Sequence, residues 1–354
     1  MEQLTDIVKM RPQEIFDAVI AAVEMKEPLF IWGPPGVGKS DVVRQVAEHF
    51  QKQYGGDNLF NPYDHETFGL IDLRAILLDP VDLRGLPHIN GDKRAHWAIP
   101  DFLPRVGRGI LFVDEINAAP PLVQAALYQL ILDRRLGEYF LPDGWVVMAA
   151  GNREGDRAVT HRMPSALANR FMHIEFMTSV DDWCKWAYQH DIATEIISAV
   201  RFCGMDLLYN FNPQKNLKAF PTQRSIAKSS KIFQNVGNES LRNKLIEGTI
   251  GKEASITLYA HVSTHMDLPS MADIMSDPEN APLPSEPSAI YATIVAMARQ
   301  AKKATFANLY QYSKRLSEEF TVLFVKDAVS VSPEVIRTKE YVSDFAVKFA
   351  DLVL

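Results

Sequence analysis

The chain has 354 residues, of which 47% are hydrophobic and 23% charged, and a formal net charge of −7, the make-up of an ordinary soluble globular protein with material for about two domains. Its apolar runs fall far short of the ~20 residues that a spanning helix requires, and Glu2 and Asp6 stand where a secretory signal would be basic, so a cytoplasmic address without membrane insertion is expected. Cys184 and Cys203 are too few for a disulfide framework or a cysteine metal site, and the acidic balance argues against a dedicated nucleic-acid binder.

In chain order, Pro12–Met25 carries apolar residues at i, i+3, i+4 spacing and reads as an amphipathic helix. Leu29–Trp32 follows as a short buried strand and breaks into Gly33, Pro34, Pro35, Gly36, Val37, Gly38, Lys39 and Ser40, which fit the pattern G-x-x-x-x-G-K-[ST]. Glycines at this spacing let the backbone wrap until successive N–H groups point at phosphate oxygens. Lys39 then brings a mobile positive charge to the outer phosphates, and the Ser40 hydroxyl is placed to ligate Mg²⁺ at the start of the next helix, read over residues 41–50.

Residues 54–58 read as a loop and 67–76 as the second strand. Residues 79–87 look too broken by proline and glycine for regular structure, and 88–97 carry Asn90-Gly91 between short alternating arms, a hairpin signal. Residues 109–113 form an apolar strand ended by Asp114 and Glu115. A strand buried in a parallel sheet delivers its last side chains to the carboxyl edge, where such sheets place ligands. There Asp114 would hold the Mg²⁺ shell and Glu115 would accept the proton of an attacking water.

A helix with proline in its first turn runs to Leu132, and residues 136–140 and 145–150 flank Pro142-Asp143-Gly144 as a second expected hairpin. Its second arm ends at Asn152, which beside the Asp-Glu strand can hydrogen-bond both γ-phosphate and water. Residues 161–171 follow, with a helix from Pro164 to Arg170, and then a short strand over 172–176.

The phosphate loop, the Asp-Glu strand, the polar strand-end residue and the edge arginine, in this order, resemble the AAA+ ATPases and within them the MoxR group. The residues that carry the likeness are GPPGVGKS (33–40), LDPVDLRGLP (78–87) with its hairpin, LFVDEIN (111–117), MAAGN (148–152) and PSALANRF (164–171). The likeness covers roughly the first half to two thirds of the chain. It implies that 33–40 form Walker A, that Asp114 and Glu115 form Walker B, and that Asn152 is sensor 1. It makes Arg170 the arginine finger that reaches a neighbouring subunit's γ-phosphate, with Arg162 the competing choice in the same segment.

In such enzymes a helical lid follows, read here from Val180, and Phe220-Pro221-Thr222-Gln223-Arg224 resembles the start of the sensor 2 helix, which would bring Arg224 over the phosphates. Residues 266–287, rich in Pro, Ser, Asp and Met, read as an exposed linker, and three helical patterns beyond it read as an α-helical extension. The expected architecture is thus α/β: a P-loop parallel sheet sandwiched by helices over 1–177, a lid over 178–265, and a linker with the helical extension over 266–354.

The expected activity is hydrolysis of ATP with Mg²⁺ in a homo-oligomeric, hexameric ring that remodels or matures a protein client. The MoxR likeness adds a partner with a von Willebrand A domain, and Asp92, Lys93 and Arg94 at the first hairpin would line the pore. Three other readings remain: a nucleic-acid motor or loader, a restriction-type GTPase, since phosphate motifs do not read the base, and a scaffold that binds nucleotide without hydrolysis.

Overall fold

The computed structural model describes residues 7–54, 66–89, 91, 94–153, 163–215, 217–263 and 268–350. The chain separates into two compact units, residues 1–178 and 179–354.

The first unit contains, in order, β1 (Val8–Met10), α1 (Pro12–Met25), β2 (Leu29–Trp32), α2 (Lys39–Tyr54), β3 (Phe68–Arg74), α3 (Pro80–Arg84), β4 (Leu86–Ile89), β5 (Ala95–Ala98), β6 (Arg108–Asp114), α4 (Pro121–Asp133), β7 (Arg135–Leu136), β8 (Tyr139–Phe140), β9 (Gly144–Gly151), α5 (Ser165–Ala168) and β10 (Met172–Phe176). Six strands form one sheet in the order β1-β10-β2-β9-β6-β3, and every pairing in it is parallel. Parallel strands buried on both faces require continuous apolar runs, and β2, β6 and β9 supply them. Ile15, Val19 and Ala22 of α1 and Val43, Val46 and Phe50 of α2 are buried, whereas Val123, Leu127 and Leu130 of α4 join Leu111, Val113, Val147 and Ala149 in one apolar cluster. Each such fully buried side chain contributes about 1.5–3 kcal/mol of transfer free energy.

The register sets the working edge. Trp32 lies beside Gly151, Ala149 beside Val113, and Asp114 beside Arg74, so the chain leaves β2, β9 and β6 at nearly the same level. The sequence points to this α/β class, and the structure adopts it.

Two local readings need correction, and one strand goes unread. Residues 79–85 are not irregular: Asp79 caps α3, its backbone N–H donating to the Asp82 carboxylate at 2.8 Å, and Pro80 sits at the first helical position where a missing N–H costs nothing. The second hairpin is not 136–140 paired with 145–150. β7 instead turns back onto β8 through Gly137 at φ 57°, while β9 is drawn into the parallel sheet between β2 and β6. The first strand, β1, is three residues long and too short to leave a periodic signal. The first hairpin is formed by antiparallel β4 and β5 as expected, but Asn90, Asp92 and Lys93 lie outside the described residues.

The second unit is helical: α6 (Val180–Gln189), α7 (Thr194–Cys203), α8 (Met205–Leu208), α9 (Gln223–Asn235), α10 (Glu239–Ile250), α11 (Lys252–Ser263), α12 (Met271–Ser276), α13 (Pro287–Gln300), α14 (Phe306–Ser313), α15 (Glu318–Val331) and α16 (Ala346–Lys348). Helix α13 is buried on two sides. Val295 and Ala298 pack with α6 and α7, and Ile294 and Met297 pack with α14 and α15.

The stretch read as an exposed linker is held down. Ile274 and Ala281 are buried, and side chains of α14 and the turn after it clasp its backbone: Asn308 donates to the Met275 carbonyl at 2.6 Å, Tyr312 to Pro282 at 2.6 Å, and Arg315 to Ala281 at 2.7 Å. No helix among the described residues is long and apolar enough to cross a membrane.

Candidate functional site

The loop that leaves β2 turns on two glycines in the left-handed region, Gly36 at φ 79° and Gly38 at φ 99°, which a residue with a Cβ adopts only at a cost. Its last turn runs directly into α2, so the free N–H groups of the helix start face the loop's hollow. Lys39 is buried, and its ammonium bends back into that hollow, donating to the carbonyls of Gly33 at 2.7 Å and Pro34 at 3.1 Å and to Asn152 Oδ1 at 3.2 Å. Val37 is buried beneath the loop, and Gly33 is fixed by donating its N–H to the Gly151 carbonyl at 3.2 Å. In geometry this is a P-loop.

Ser40 Oγ donates to Asp114 Oδ2 at 2.8 Å, across a sequence separation of 74. The other carboxylate oxygen of Asp114 accepts the Glu115 backbone N–H at 2.9 Å. Glu115 itself is left-handed, at φ 57° and ψ 33°. A non-glycine residue held there stores about 1–3 kcal/mol of backbone strain. The kink ends β6 abruptly and turns the Glu115 side chain away from the strand direction.

Sequence reasoning missed one residue of this centre, Asn117. Buried after the kink, it donates from Nδ2 to the Asn152 carbonyl at 2.7 Å and so ties the end of β9 to the end of β6. Its own backbone carbonyl and that of Ala119 accept from Gln124 Nε2, at 3.4 and 2.9 Å. The available signal was the polar residue inside LFVDEIN, at a position where helical or strand patterning would have an apolar one. Asn117 Oδ1 has no hydrogen-bond donor among the described residues and sits against Gly151, where a Cβ would lie 2.4 Å from Oδ1 and 2.9 Å from Phe30 Cζ. Gly151→Ala is therefore expected to push Asn117 off Asn152. It should destabilise the protein by about 1–3 kcal/mol, the usual cost of overpacking, read as a lowered urea midpoint.

Electrostatically the edge is prepared for a cation. Asp72, on the strand next to β6, has its carboxyl pushed up first by burial and then by the negative charge of Asp114, against the pull of Arg44 and Arg74. Arg44 lies 3.8 Å from Asp72. The negative charge of Asp114 beside Asp72 favours a positive ion near them. Among the described residues no group of three or more His, Cys, Asp or Glu could hold a metal alone. Mg²⁺ takes one or two protein oxygens and completes its shell with water and substrate phosphate. Ser40 and Asp114, already in contact, are the residues that would hold it.

The arginines divide. Arg170 is exposed in the turn after α5, and its guanidinium has no hydrogen-bond or ion-pair partner among the described residues. Arg162 lies outside the described residues. Arg224 belongs to the second unit, exposed in the first turn of α9, where Thr222 accepts the Ser225 N–H at 3.1 Å and Ser225 Oγ accepts the Thr222 N–H at 2.8 Å. The expected helix start is thus present.

A parallel sheet in this order, with the phosphate loop after β2 and one strand between β2 and the Asp-Glu strand, decides the architecture of the first unit. The fold is a P-loop α/β fold, a parallel sheet with helices packed on its faces. No family model matches the chain. Midasin of Giardia intestinalis is 27% identical over 187 residues, 49% of this chain and 4% of that protein, so the chain corresponds to a small part of that relative's length. Among solved structures, RuvB of Thermotoga maritima, as a mutant, aligns over 70% of this chain and 68% of its own with a TM-score of 0.40 at 15% identity. NtrX of Brucella abortus in complex with ADP aligns over 97% of this chain and 68% of its own with a TM-score of 0.41 at 14% identity.

Proposed function

We propose that this chain is an AAA+ ATPase of the MoxR type that hydrolyses ATP with Mg²⁺ in a homo-oligomeric, hexameric ring. Its cycle remodels or matures a protein client in the cytoplasm, in concert with a partner carrying a von Willebrand A domain. The observation that carries the reading is the convergence of Lys39, Ser40, Asp114 and Asn152 on the hollow of one phosphate-binding loop, with Glu115 next in the chain after Asp114.

The chemistry follows from these positions. Backbone N–H groups of 36–40 take the phosphates, and Lys39 exchanges the Gly33 and Pro34 carbonyls for the outer phosphate oxygens. Ser40 and Asp114 would hold Mg²⁺, which would supply positive charge against the phosphates. Glu115 takes a proton from the attacking water, whose oxygen bonds to the γ-phosphorus as the bond to the ADP oxygen breaks, giving ADP and inorganic phosphate. Asn152 keeps Oδ1 on Lys39 and has Nδ2 free to hold the water or the γ-phosphate. Arg224 would close over the phosphates from the lid.

The charge that grows on the γ-phosphoryl oxygens in the transition state calls for a further cation besides Lys39 and Arg224. Arg170, exposed and without a partner among the described residues, supplies it to the neighbouring subunit. The exposed hairpin residues Leu86, 65% accessible, and Ile89, 77% accessible, favour a protein client, because apolar surface of this kind grips polypeptide.

The test is Arg170→Ala. ATP turnover is expected to fall about 10²-fold, the usual loss for one transition-state donor, with the Kd for ATP unchanged and the ring intact by light scattering. A monomeric protein that turns over ATP at the full rate would overturn the trans reading. Full turnover in Arg170→Ala rings with loss in Arg162→Ala would move the role to Arg162.

A further inference from the structure

His173 lies on β10 beside β2, in register with Phe30, and Glu175, two residues on, is in register with Trp32. Paired residues of adjacent strands share a face, so His173 and Trp32 point the same way. Both nitrogens of the His173 ring are engaged. Trp32 Nε1–H, which can only donate, lies 2.9 Å from Nδ1, and the Ala168 carbonyl, which can only accept, lies 2.7 Å from Nε2. The ring is therefore neutral, with its proton on Nε2.

The two partners are the informative part. Trp32 is the residue before Gly33, where the phosphate loop begins. Ala168 ends α5, and its carbonyl also accepts the Phe171 N–H at 3.3 Å, closing the turn that carries Arg170. Around this bridge the rings leave little freedom: Phe30 stacks on Trp32 with centroids 4.2 Å apart, and Phe171 meets Phe30 edge-on at 5.4 Å. A phenylalanine or leucine at 173 would fill the same space. What histidine adds is a directional link from the loop's entry to the arginine's turn.

We propose that His173 is a positioning residue for Arg170: through Trp32 and Ala168 it fixes the turn bearing the guanidinium relative to its own subunit's phosphate loop. The proposal rests on the trans role of Arg170. A charge-stabilising group must sit within a fraction of an ångström of its working place, and misplacement by about 1 Å costs about 10²-fold in rate. Loss of the link is expected to lower turnover about 10-fold to 10²-fold, with ATP affinity retained.

Two variants break the link from opposite ends. His173→Phe removes both hydrogen bonds, and Trp32→Phe removes only the indole donor while keeping a ring on Phe30. Each is mixed with an excess of Glu115→Gln subunits, which bind ATP and offer an intact Arg170 but lack the base in their own site. A variant subunit whose own site is sound should then recover turnover, because its neighbour's arginine is correctly placed, and Arg170→Ala should recover in the same way.

Rescue of His173→Phe and Trp32→Phe to the level of Arg170→Ala is the expected result. Rescue of Arg170→Ala alone, or full turnover by unmixed Trp32→Phe, overturns the role of His173 while leaving the arginine reading in place. Failure to rescue Arg170→Ala overturns the trans reading itself, and with it the basis of the inference. Should His173→Phe not fold, Trp32→Phe decides.

Discussion

Replacing Glu115 by Gln is expected to lower ATP turnover by up to about 10⁴-fold, the upper range for removal of a general base, with little change in the Kd for ATP. The split follows from what each group touches. On the proposed reading, phosphate affinity would come from the loop N–H groups, Lys39 and the Ser40–Asp114 pair rather than from the Glu115 side chain. Gln preserves the length and shape of Glu and accepts a hydrogen bond, but it cannot take the proton from water at neutral pH.

The left-handed backbone of Glu115 sharpens the expectation. Because the kink is set by the backbone, with the Glu115 carbonyl accepting the Ala118 N–H at 2.9 Å, the Gln side chain should leave on the same vector. Nucleotide titration alongside a phosphate-release assay makes the measurement. Sustained turnover at the parent rate would remove Glu115 from the role of base and reopen the search along the same sheet edge.

The parts of this centre that were legible in the sequence are those whose chemistry is local. The phosphate loop needs its glycines, lysine and serine consecutively, so eight neighbouring residues state it completely. Asp114 and Glu115 end an apolar strand, which by itself is a common strand-end turn, and they became legible only because a complete phosphate loop precedes them at a distance that leaves room for one strand and a helix. Asn152 was legible only through its neighbours.

Contacts across the sheet edge were not legible. Asn117 and Gly151 are 34 positions apart, and their close approach depends on the β6–β9 register, which no local pattern encodes. The same holds for Trp32 and His173, separated by 141 positions and joined by one hydrogen bond. Local signals also misled where tertiary structure outweighed them. Pro142-Asp143-Gly144 is a sound turn signal, yet the strand after it pairs with β6 and β2, because the apolar run over 145–150 is better buried between two strands than in a two-stranded ribbon.

The second unit illustrates the reverse. Periodicity marked the helix from Val180 and the one over 288–299, and Thr222 the capped start of α9, but the pattern read over 306–326 divides into α14 and α15, the one read over 332–353 holds only short helical turns among the described residues, and the grouping of the helices was not legible. Proline, serine and aspartate made 266–287 read as a linker. The apolar residues scattered through it, Met271, Ile274 and Ala281, are enough to seat it in the cluster built by α14 and α15.

Asp327→Ala is expected to destabilise the second unit by about 3–5 kcal/mol, the usual consequence of removing one partner of a buried ion pair. Asp327 lies on α15 and is 1% accessible. Its carboxylate takes Arg201 of α7 on one oxygen and the Tyr188 hydroxyl of α6, at 2.8 Å, on the other, and Arg201 reaches on to Asp181. Burial pushes the Asp327 carboxyl up, and Arg201 pulls it back down by charge and hydrogen bonding. Burial also raises the Tyr188 hydroxyl, which keeps it a donor.

Without Asp327, the Arg201 guanidinium is left in the core with a single carboxylate at its edge, and Tyr188 is left with a buried hydroxyl and no acceptor. Against a total stability of about 5–15 kcal/mol for a typical domain, this loss should appear as a separate, earlier unfolding transition in urea. The first unit should keep its nucleotide affinity below that transition. The double replacement Arg201→Met with Asp327→Leu removes both charges and fills the space, and is expected to recover most of the loss, as uncharged replacements of buried pairs commonly do. If Asp327→Ala alone unfolds with the parent midpoint, the network is not what joins α15 to α6 and α7, and the apolar contacts of α13 carry that junction instead.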